Sequence, residues 1–299
     1  MRDLTPEKER LILKNSISPL PLHKALTLLD FLYGKNPYNL DHLRLAFAKS
    51  VVEESSNLHF GPEVGVQKLK KDAPVISPWL ECVNTMASDI ELYKDKAEAS
   101  SEVLLGDARK IDSYIKPHSV DFVFTSPPYP NEKDYTRTTR LESVLLSFIN
   151  NKNELRQFKQ GMLRSNTRNV YKEDNDDIYI LQNNEIVHIA EEIEKRRIEL
   201  RKTSGFERLY SRVTKLYFGG MARHLFLLRT ILKPGAVLAY VVGDQSSYLR
   251  IKIQTGRLLV QIAESLGYDI IDIDLFRKRI ATILGEYLNE EVVVLRWKG

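Results

Sequence analysis

The spacing of apolar residues changes along this chain, and the change divides it. From residue 6 to 33 apolar positions recur every three or four residues, and the run LHKALTLLDFLYG stops at Gly34, which predicts one or two helices. Residues 41–54 repeat the pattern, with Leu43, Phe47 and Val51 on one face. Residues 55–76 hold Gly, Pro and the cluster KLKK and read as a loop; Pro78 then opens a helix carrying Trp79, Val83, Met86 and Ile90. Beyond it the period shortens. EVLLG at 102–106 and VDFVFT at 120–125 are short, apolar and bounded by Gly, Asp and Pro, the pattern of buried parallel strands. Residues 140–149 return to helical spacing. Residues 150–183, rich in Asn, Lys, Asp and Gln, have no clear period and read as an insert, ordered in part by a partner. A long helical pattern covers 184–230, followed by a strand at 236–242, a helix at 255–266 and strands at 268–274 and 291–297.

These elements predict an α/β fold. A helical N-terminal region, residues 1–98, precedes a domain over 99–299 with an insert at 150–215. Strands alternating with helices imply a parallel-type sheet with helices on both faces, and the last strands are expected to close it as an antiparallel edge.

Composition narrows the classes without choosing among them. The 299 residues carry a net charge of +4, which permits nucleic acid as a partner but does not point to it. No apolar run is long enough to cross a bilayer, and the opening MRDLTPEKER lacks the apolar core of a signal peptide, so a cytoplasmic, nucleoid-associated location without membrane contact is expected. Cys82 is the only cysteine; it cannot form an intramolecular disulfide and has no nucleophile signature around it. The six histidines are scattered without ligand spacing, so no metal site is expected.

The candidate chemistry lies in Thr125-Ser126-Pro127-Pro128-Tyr129, directly after the strand DFVF. The expected place is the carboxyl end of a central strand, where open α/β sheets bind ligands. Two prolines fix φ twice and remove two N–H donors, so the turn offers acceptors in a rigid frame. That suits a substrate presenting N–H donors, such as the exocyclic amine of a base. Its nitrogen lone pair is delocalised into the ring. Accepting its hydrogens at the Ser126 hydroxyl and the Pro127 carbonyl would localise that lone pair for attack on a methyl sulfonium. Tyr129 offers a ring on which a flipped base can stack. A proline-rich turn that merely ends a strand is the alternative.

DFVFTSPPY resembles motif IV of the DNA N4-cytosine and N6-adenine amino-methyltransferases, in which the tetrapeptide reads S/D/N-P-P-Y/F; Ser in first place is the form usual for N4-cytosine enzymes. Leu104-Leu105-Gly106-Asp107-Ala108 resembles the segment of motif III that contacts the cofactor adenine. Lys233-Pro234-Gly235 with its following strand, and Ile253-Gln254-Thr255 with its helix, resemble later motifs, so the resemblance runs from about residue 77 to the end. It implies a Rossmann-like S-adenosylmethionine-dependent methyltransferase fold, S-adenosyl-L-methionine as cofactor and double-stranded DNA as substrate. Ser126, Pro127, Pro128 and Tyr129 would be catalytic, and Gly106, Asp107, Ala108 and Thr125 would face the cofactor. Asp107 could equally cap a helix, and Asp244 either contacts substrate or caps a turn. Asp134 and Tyr135 would line the base pocket. Arg137, Arg140, Arg164 and Arg168, with Lys172, Arg196 and Arg197, would meet phosphates or form a solvated basic face.

One part of the pattern is missing. The family holds its cofactor's methionine end on an F-x-G-x-G loop after the first strand, with an acid about 20 residues later for the ribose. Neither stands upstream of Gly106, and the nearest candidate, His59 to Gly65, follows no apolar strand. The chain therefore reads as such an enzyme without its first βαβ unit. A second polypeptide supplies the loop, the chain is a piece of a longer enzyme, or it is an inactive relic that binds DNA as a non-catalytic subunit of a restriction-modification system.

Overall fold

The structure, a computed structural model, describes residues 1–61, 63–96, 99–131, 134–280 and 285–299. The chain forms two compact units, Met1–Val103 with Tyr135–Lys159, and Leu104–Asp134 with Gln160–Gly299.

The first unit is mostly helical: α1 (Pro6–Glu9), α2 (Pro19–Lys35), α3 (Leu40–Ser50), α4 (Ile76–Leu92), α5 (Tyr135–Thr138), α6 (Arg140–Leu145) and nearly all of α7 (Lys152–Gln160). Leu22, Leu28, Leu29 and Leu32 of α2 pack with Phe47 of α3 and with Leu141 and Leu145 of α6. The stop of α2 is not Gly34 but Asn36, whose left-handed φ of 41° lets its N–H reach the Leu32 carbonyl. The stretch expected to be a loop contains a hairpin, β1 (Leu58–Phe60) with β2 (Val64–Val66); three residues per strand are too few to show an alternating pattern. The glycine-loop candidate at His59–Gly65 overlaps this hairpin, and its Pro62 lies outside the described residues.

The second unit holds a four-stranded sheet of order β3-β4-β6-β5, from β3 (Val120–Thr125), β4 (Leu232–Gly243), β5 (Tyr268–Ile280) and β6 (Tyr287–Trp297). β3 runs parallel to β4, and β6 runs antiparallel to both β4 and β5, so the antiparallel closure expected of the last strands is present. Helices α8 (Asn184–Glu199), α9 (Tyr210–Leu228) and α10 (Thr255–Ser265) complete the unit. The sequence pattern treats 184–230 as one helical stretch; the chain instead breaks between Glu199 and Tyr210, around Gly205.

One side of the sheet is the core. Ala236, Leu238, Tyr240 and Val242 of β4 and Val293 and Leu295 of β6 pack there against Ile186 and Ile193 of α8, Tyr217, Phe218 and Leu225 of α9, and Leu258 and Ile262 of α10. Because strand residues alternate sides, Val237, Val241, Val292 and Val294 point the other way, and the register sets Phe122 beside Val237 and Phe124 beside Ala239 on that same side. The three long helices of this unit thus lie on one face, where helices on both were expected. Two further expectations fail together. Residues 102–106 form no strand, and β3 is an edge strand rather than a central one. The apolar content reads correctly, but a strand exists only where a neighbour accepts its hydrogen bonds, and no described strand lies beside residues 102–106 or on the outer side of β3.

Candidate active site

The turn after β3 sits where the ends of three strands meet. The Ser126 hydroxyl donates to the Val241 carbonyl of β4 at 3.2 Å, which fixes its hydrogen and leaves oxygen lone pairs for an incoming N–H. A hydrogen bond also links the Ser126 hydroxyl with the Tyr129 phenol. The Tyr129 ring lies on the backbone of Gly243, so closely that a Cβ there would stand 2.6 Å from ring carbon Cε2. Gly243 is in ordinary strand conformation, so it is required for this close approach and not for its own φ.

Charged groups at the ends of β4, β5 and β6 surround this turn. Glu290, which opposes Gly243 across β4 and β6, is 4% exposed and is held by Arg277 at 2.7 Å and Arg279 at 2.9 Å. Arg279 also donates to the Asp244 carbonyl at 3.0 Å. Burial, then the nearby Glu290 charge, pushes the Tyr129 phenol above its ordinary pKa, partly offset by the Ser126 hydrogen bond and the two arginines. Tyr129 therefore stays a neutral phenol across the working pH range. Asp244 is buried, and burial raises its pKa above the usual carboxylate value. Glu290, Arg277 and Arg279 were not read from the sequence. Their charges sit in a run of mixed polar residues, and only the β5–β6 register brings them to the strand end.

Beside β3 opens a cleft of about 650 Å³, lined by Ala108, Ile111 and Ile115, by Val120 and Phe122 to Pro128, and by Met221, His224 and Leu228 of α9. Its wall is predominantly apolar. His224 is tied on both sides: its ring bonds the Ala108 carbonyl at 2.8 Å and the Tyr240 hydroxyl at 2.7 Å.

Of the residues expected to face a cofactor, Ala108 and Thr125 line this cleft, whereas Gly106 and Asp107 have other engagements. Gly106 is covered by the Tyr114 ring, 2.7 Å from where its Cβ would be. Asp107 accepts from the Arg109 N–H at 2.9 Å at the start of a 3₁₀ turn, and pairs with the Arg109 guanidinium at 2.8 Å. Of the two roles open to Asp107, the structure shows the cap. Burial alone would raise its pKa, but Arg109 holds it below the usual carboxylate range. Arg109 reaches on to Asp176 at 2.6 Å, and Arg223 of α9 meets the same carboxylate at 3.1 Å, so the insert is rooted to the core by a buried ionic network. Gly219 lets this root approach: a Cβ there would fall 2.1 Å from the Asp176 carbonyl oxygen.

The expected phosphate contacts separate. Tyr135, Arg137 and Arg140 belong to the first unit, whereas Asp134 and the other candidates belong to the second. Arg140 is used within its unit, donating to the Thr136 carbonyl at 2.7 Å and the Leu11 carbonyl at 3.2 Å. Arg137 lies 3.9 Å from Glu63. Arg164 corrects the expectation outright. It is 2% exposed, with its guanidinium bound to Asp174 at 2.7 Å and to the Met162 and Gln160 carbonyls, so it holds the insert together and has no face for a phosphate. Arg197 pairs with Glu194 at 2.6 Å. Arg168, stacked 5.4 Å from the Phe206 ring, Lys172 and Arg196 are exposed. Among the described residues no group of acids, histidines or cysteines has the arrangement of a metal site, and no helix is long and apolar enough to cross a membrane.

No family profile matches the chain. It is 30% identical over 200 residues to the type II methyltransferase M.AvaI of Nostoc sp., a match covering 66% of this chain and 38% of that protein. It is 27% identical over 218 residues to the type II methyltransferase M.BsoBI of Geobacillus stearothermophilus, covering 67% and 42%. The chain thus spans well under half of the curated relatives it matches. A solved structure of TTHA0409 from Thermus thermophilus, assigned to DNA modification methylases and complexed with S-adenosyl-L-methionine, aligns at 16% identity and a TM-score of 0.34, over 65% of this chain and 54% of that one. The resemblance carried by the motifs thus extends beyond them: over about two thirds of its length, this chain is similar to part of the type II methyltransferases.

Proposed function

We propose that this chain supplies the base-binding half of an S-adenosylmethionine-dependent DNA amino-methyltransferase, with N4 of cytosine as the methyl acceptor. The observation that carries the reading is the turn after β3. The Ser126 hydrogen is spent on Val241, one oxygen lone pair remains beside the Tyr129 phenol to accept, and the Tyr129 ring packs against Gly243.

A target base flipped from double-stranded DNA would stack on Tyr129. Its amine hydrogens would be accepted by the Ser126 hydroxyl and the Pro127 carbonyl. Each acceptor draws a hydrogen, the nitrogen lone pair turns out of the ring system, and the nitrogen becomes a nucleophile towards an electrophilic methyl group. The neutral Tyr129 phenol and the Arg277–Glu290–Arg279 cluster fix the pocket wall. The exposed Arg168, Lys172 and Arg196 are candidates for phosphate contact, adding salt-dependent affinity without sequence choice.

S-Adenosylmethionine would supply the methyl sulfonium, but the residues described do not make a full cradle for it. Asp107 is paired with Arg109, Gly106 is covered, and no glycine loop follows any described strand. The chain is therefore assigned the acceptor side of the reaction, and the donor side is assigned to elements other than those described, in a second polypeptide or in a further segment of a longer chain.

Single-turnover methylation of a duplex with 2-aminopurine beside the target, by the enzyme completed with its donor side, tests the reading. Ser126→Ala should lower the rate of the chemical step by roughly 10- to 1000-fold, because its contact strengthens in the transition state. Tyr129→Ala should lose about 1–3 kcal/mol of base stacking while duplex affinity stays nearly constant. Wild-type rates in both variants would overturn the site. Label on adenine would keep the reaction class and move the acceptor to N6.

A further inference from the structure

We propose that Arg277, held by the buried Glu290 and backed by Arg279, binds the backbone phosphate of the nucleotide whose base stacks on Tyr129. The proposal rests on the methyltransferase reading of the turn and adds to it an anion site across the ring from Ser126.

A bulge in β5 presents these arginines. Leu275 opposes Glu291 and Arg277 opposes Glu290, so Phe276 is one extra residue between two successive pairs. Glu291 faces α10, where its carboxylate lies against Gly256. Glu290, one residue earlier, faces the opposite side, where Gly243 carries the Tyr129 ring. The extra residue shifts the alternation of β5 by one and brings Arg277 and Arg279 to the Tyr129 side. In a regular strand Phe276 would stand there and both arginines would point towards the α10 side. Lys278, between them, still points that way.

Across the sheet the order is acceptor, ring, cations. Ser126 bonds β4 at Val241, and Tyr129 covers Gly243 two residues on. Glu290 stands on the next strand and Arg277 on the one beyond, roughly 10 Å from Gly243 at two strand spacings. In a cytosine nucleotide the exocyclic amine and the sugar lie on opposite edges of the ring. With the amine at Ser126, the sugar–phosphate is led towards β5. Two guanidiniums share one carboxylate there, so the cluster keeps a positive charge. The acids Asp244 and Glu291 alternate to the α10 side, Asp244 with Lys252 at 3.9 Å. Arg279 is engaged twice, on Glu290 and on the Asp244 carbonyl. Arg277 spends Nε and Nη2 on Glu290, at 2.8 and 2.7 Å. Its Nη1 has no hydrogen-bond partner among the described residues, and its side chain is 60% exposed. A guanidinium fixed along one edge and open along the other is pre-organised for phosphate oxygens.

The test measures duplex DNA binding by the whole chain against salt. Arg277→Gln should make the fall of log K with log salt shallower by about 0.9, the share of one phosphate contact, and weaken binding about 10-fold at any sequence. Arg277→Lys keeps the charge and should keep the slope. Lys278→Gln removes the same charge from the other side of β5 and should leave the slope unchanged. A second duplex carries a mismatched cytosine, which leaves the stack readily, with its two flanking phosphates replaced one at a time by neutral methylphosphonate. Replacement at one of the two sites should weaken wild-type binding about 10-fold and Arg277→Gln binding not at all, because both changes remove the same contact. Equal losses in the two proteins, an unchanged slope in Arg277→Gln, or the same change of slope in Lys278→Gln would overturn the contact. If Tyr129→Ala still lost capture of the mismatched base, the pocket itself would stand. A chain that binds no duplex at low salt, or whose Tyr129→Ala variant captures that base like the wild type, loses the reading of the turn and the phosphate contact with it.

Discussion

Gly243→Ala isolates the geometry of the proposed base pocket from its chemistry. The added methyl touches no reacting group, and the strand backbone there accepts alanine without strain. Its Cβ would, however, lie 2.6 Å from Tyr129 Cε2 and 2.9 Å from Cδ2, where ordinary contact begins near 3.4 Å. The ring must therefore retreat by roughly 0.8 Å, the difference between 3.4 and 2.6. A misplacement of about 1 Å in a positioning group typically costs about 100-fold in rate, while a single overpacked methyl costs about 1–3 kcal/mol of stability. The variant should fold, melt a few degrees lower, and methylate in single turnover about 10- to 100-fold more slowly. Because the methyl acts through Tyr129, the double variant Gly243→Ala/Tyr129→Ala should be little slower than Tyr129→Ala alone. A wild-type rate in Gly243→Ala, or strictly additive losses in the double variant, would refute the coupling.

Other consequences are open to measurement. Arg109→Met strands Asp107 and leaves Asp176 with Arg223 alone; breaking a buried pair costs about 3–5 kcal/mol, read as a lower urea midpoint with an unchanged slope. His224 is held neutral because burial lowers its pKa below 6.5, only partly offset by the Ala108 carbonyl and the Asp107 charge. The unfolded chain then binds the proton first, so this contribution to stability is complete above about pH 6.5 and is lost as pH falls towards the folded value. His224→Gln should flatten that slope in pH-dependent melting, and an unchanged slope would remove the assignment. Gly219→Ala should separate the Asp176 turn from α9 and destabilise the fold by about 1–3 kcal/mol or more, since backbone faces the new methyl; calorimetry giving a wild-type midpoint would contradict that packing.

The sequence was informative wherever the physics is local. The strand at 120–125, the TSPPY turn at its end, the strand at β4 and the helix at α10 follow from period and turn chemistry alone. What it hid depends on partners distant in the chain. EVLLG has the composition of a strand but no neighbour, and composition cannot report a missing neighbour. Arg164 looks like its exposed neighbour Arg168, and only Asp174 and two carbonyls, brought round by the fold of the insert, make it a buried tie. Glu290 was invisible for the same reason, since its meaning comes from Arg277 and Arg279 across a register with a bulge between Leu275 and Arg277. Gly243 could have been noticed: a glycine ending an apolar strand marks a close backbone approach, and here what approaches is the Tyr129 ring.

The ionic root of the insert limits how such proteins can be recombined. Asp176 is on the insert, Arg109 lies before the TSPPY turn, and Arg223 lies on the helix that returns to β4. A chimaera that exchanged the insert as a cassette, with its ends cut at convenient loops, would carry the acid away from both bases. It would bury one unpaired acid in the recipient, and in the remnant it would take the acid from Arg223 and leave Arg109 with Asp107 alone. Exchange should succeed only where the donor keeps an acid at this place, or where the cut is moved inside the root, beyond Asp176, so that the tip changes and the anchor stays. The practical unit of exchange is therefore smaller than the insert itself.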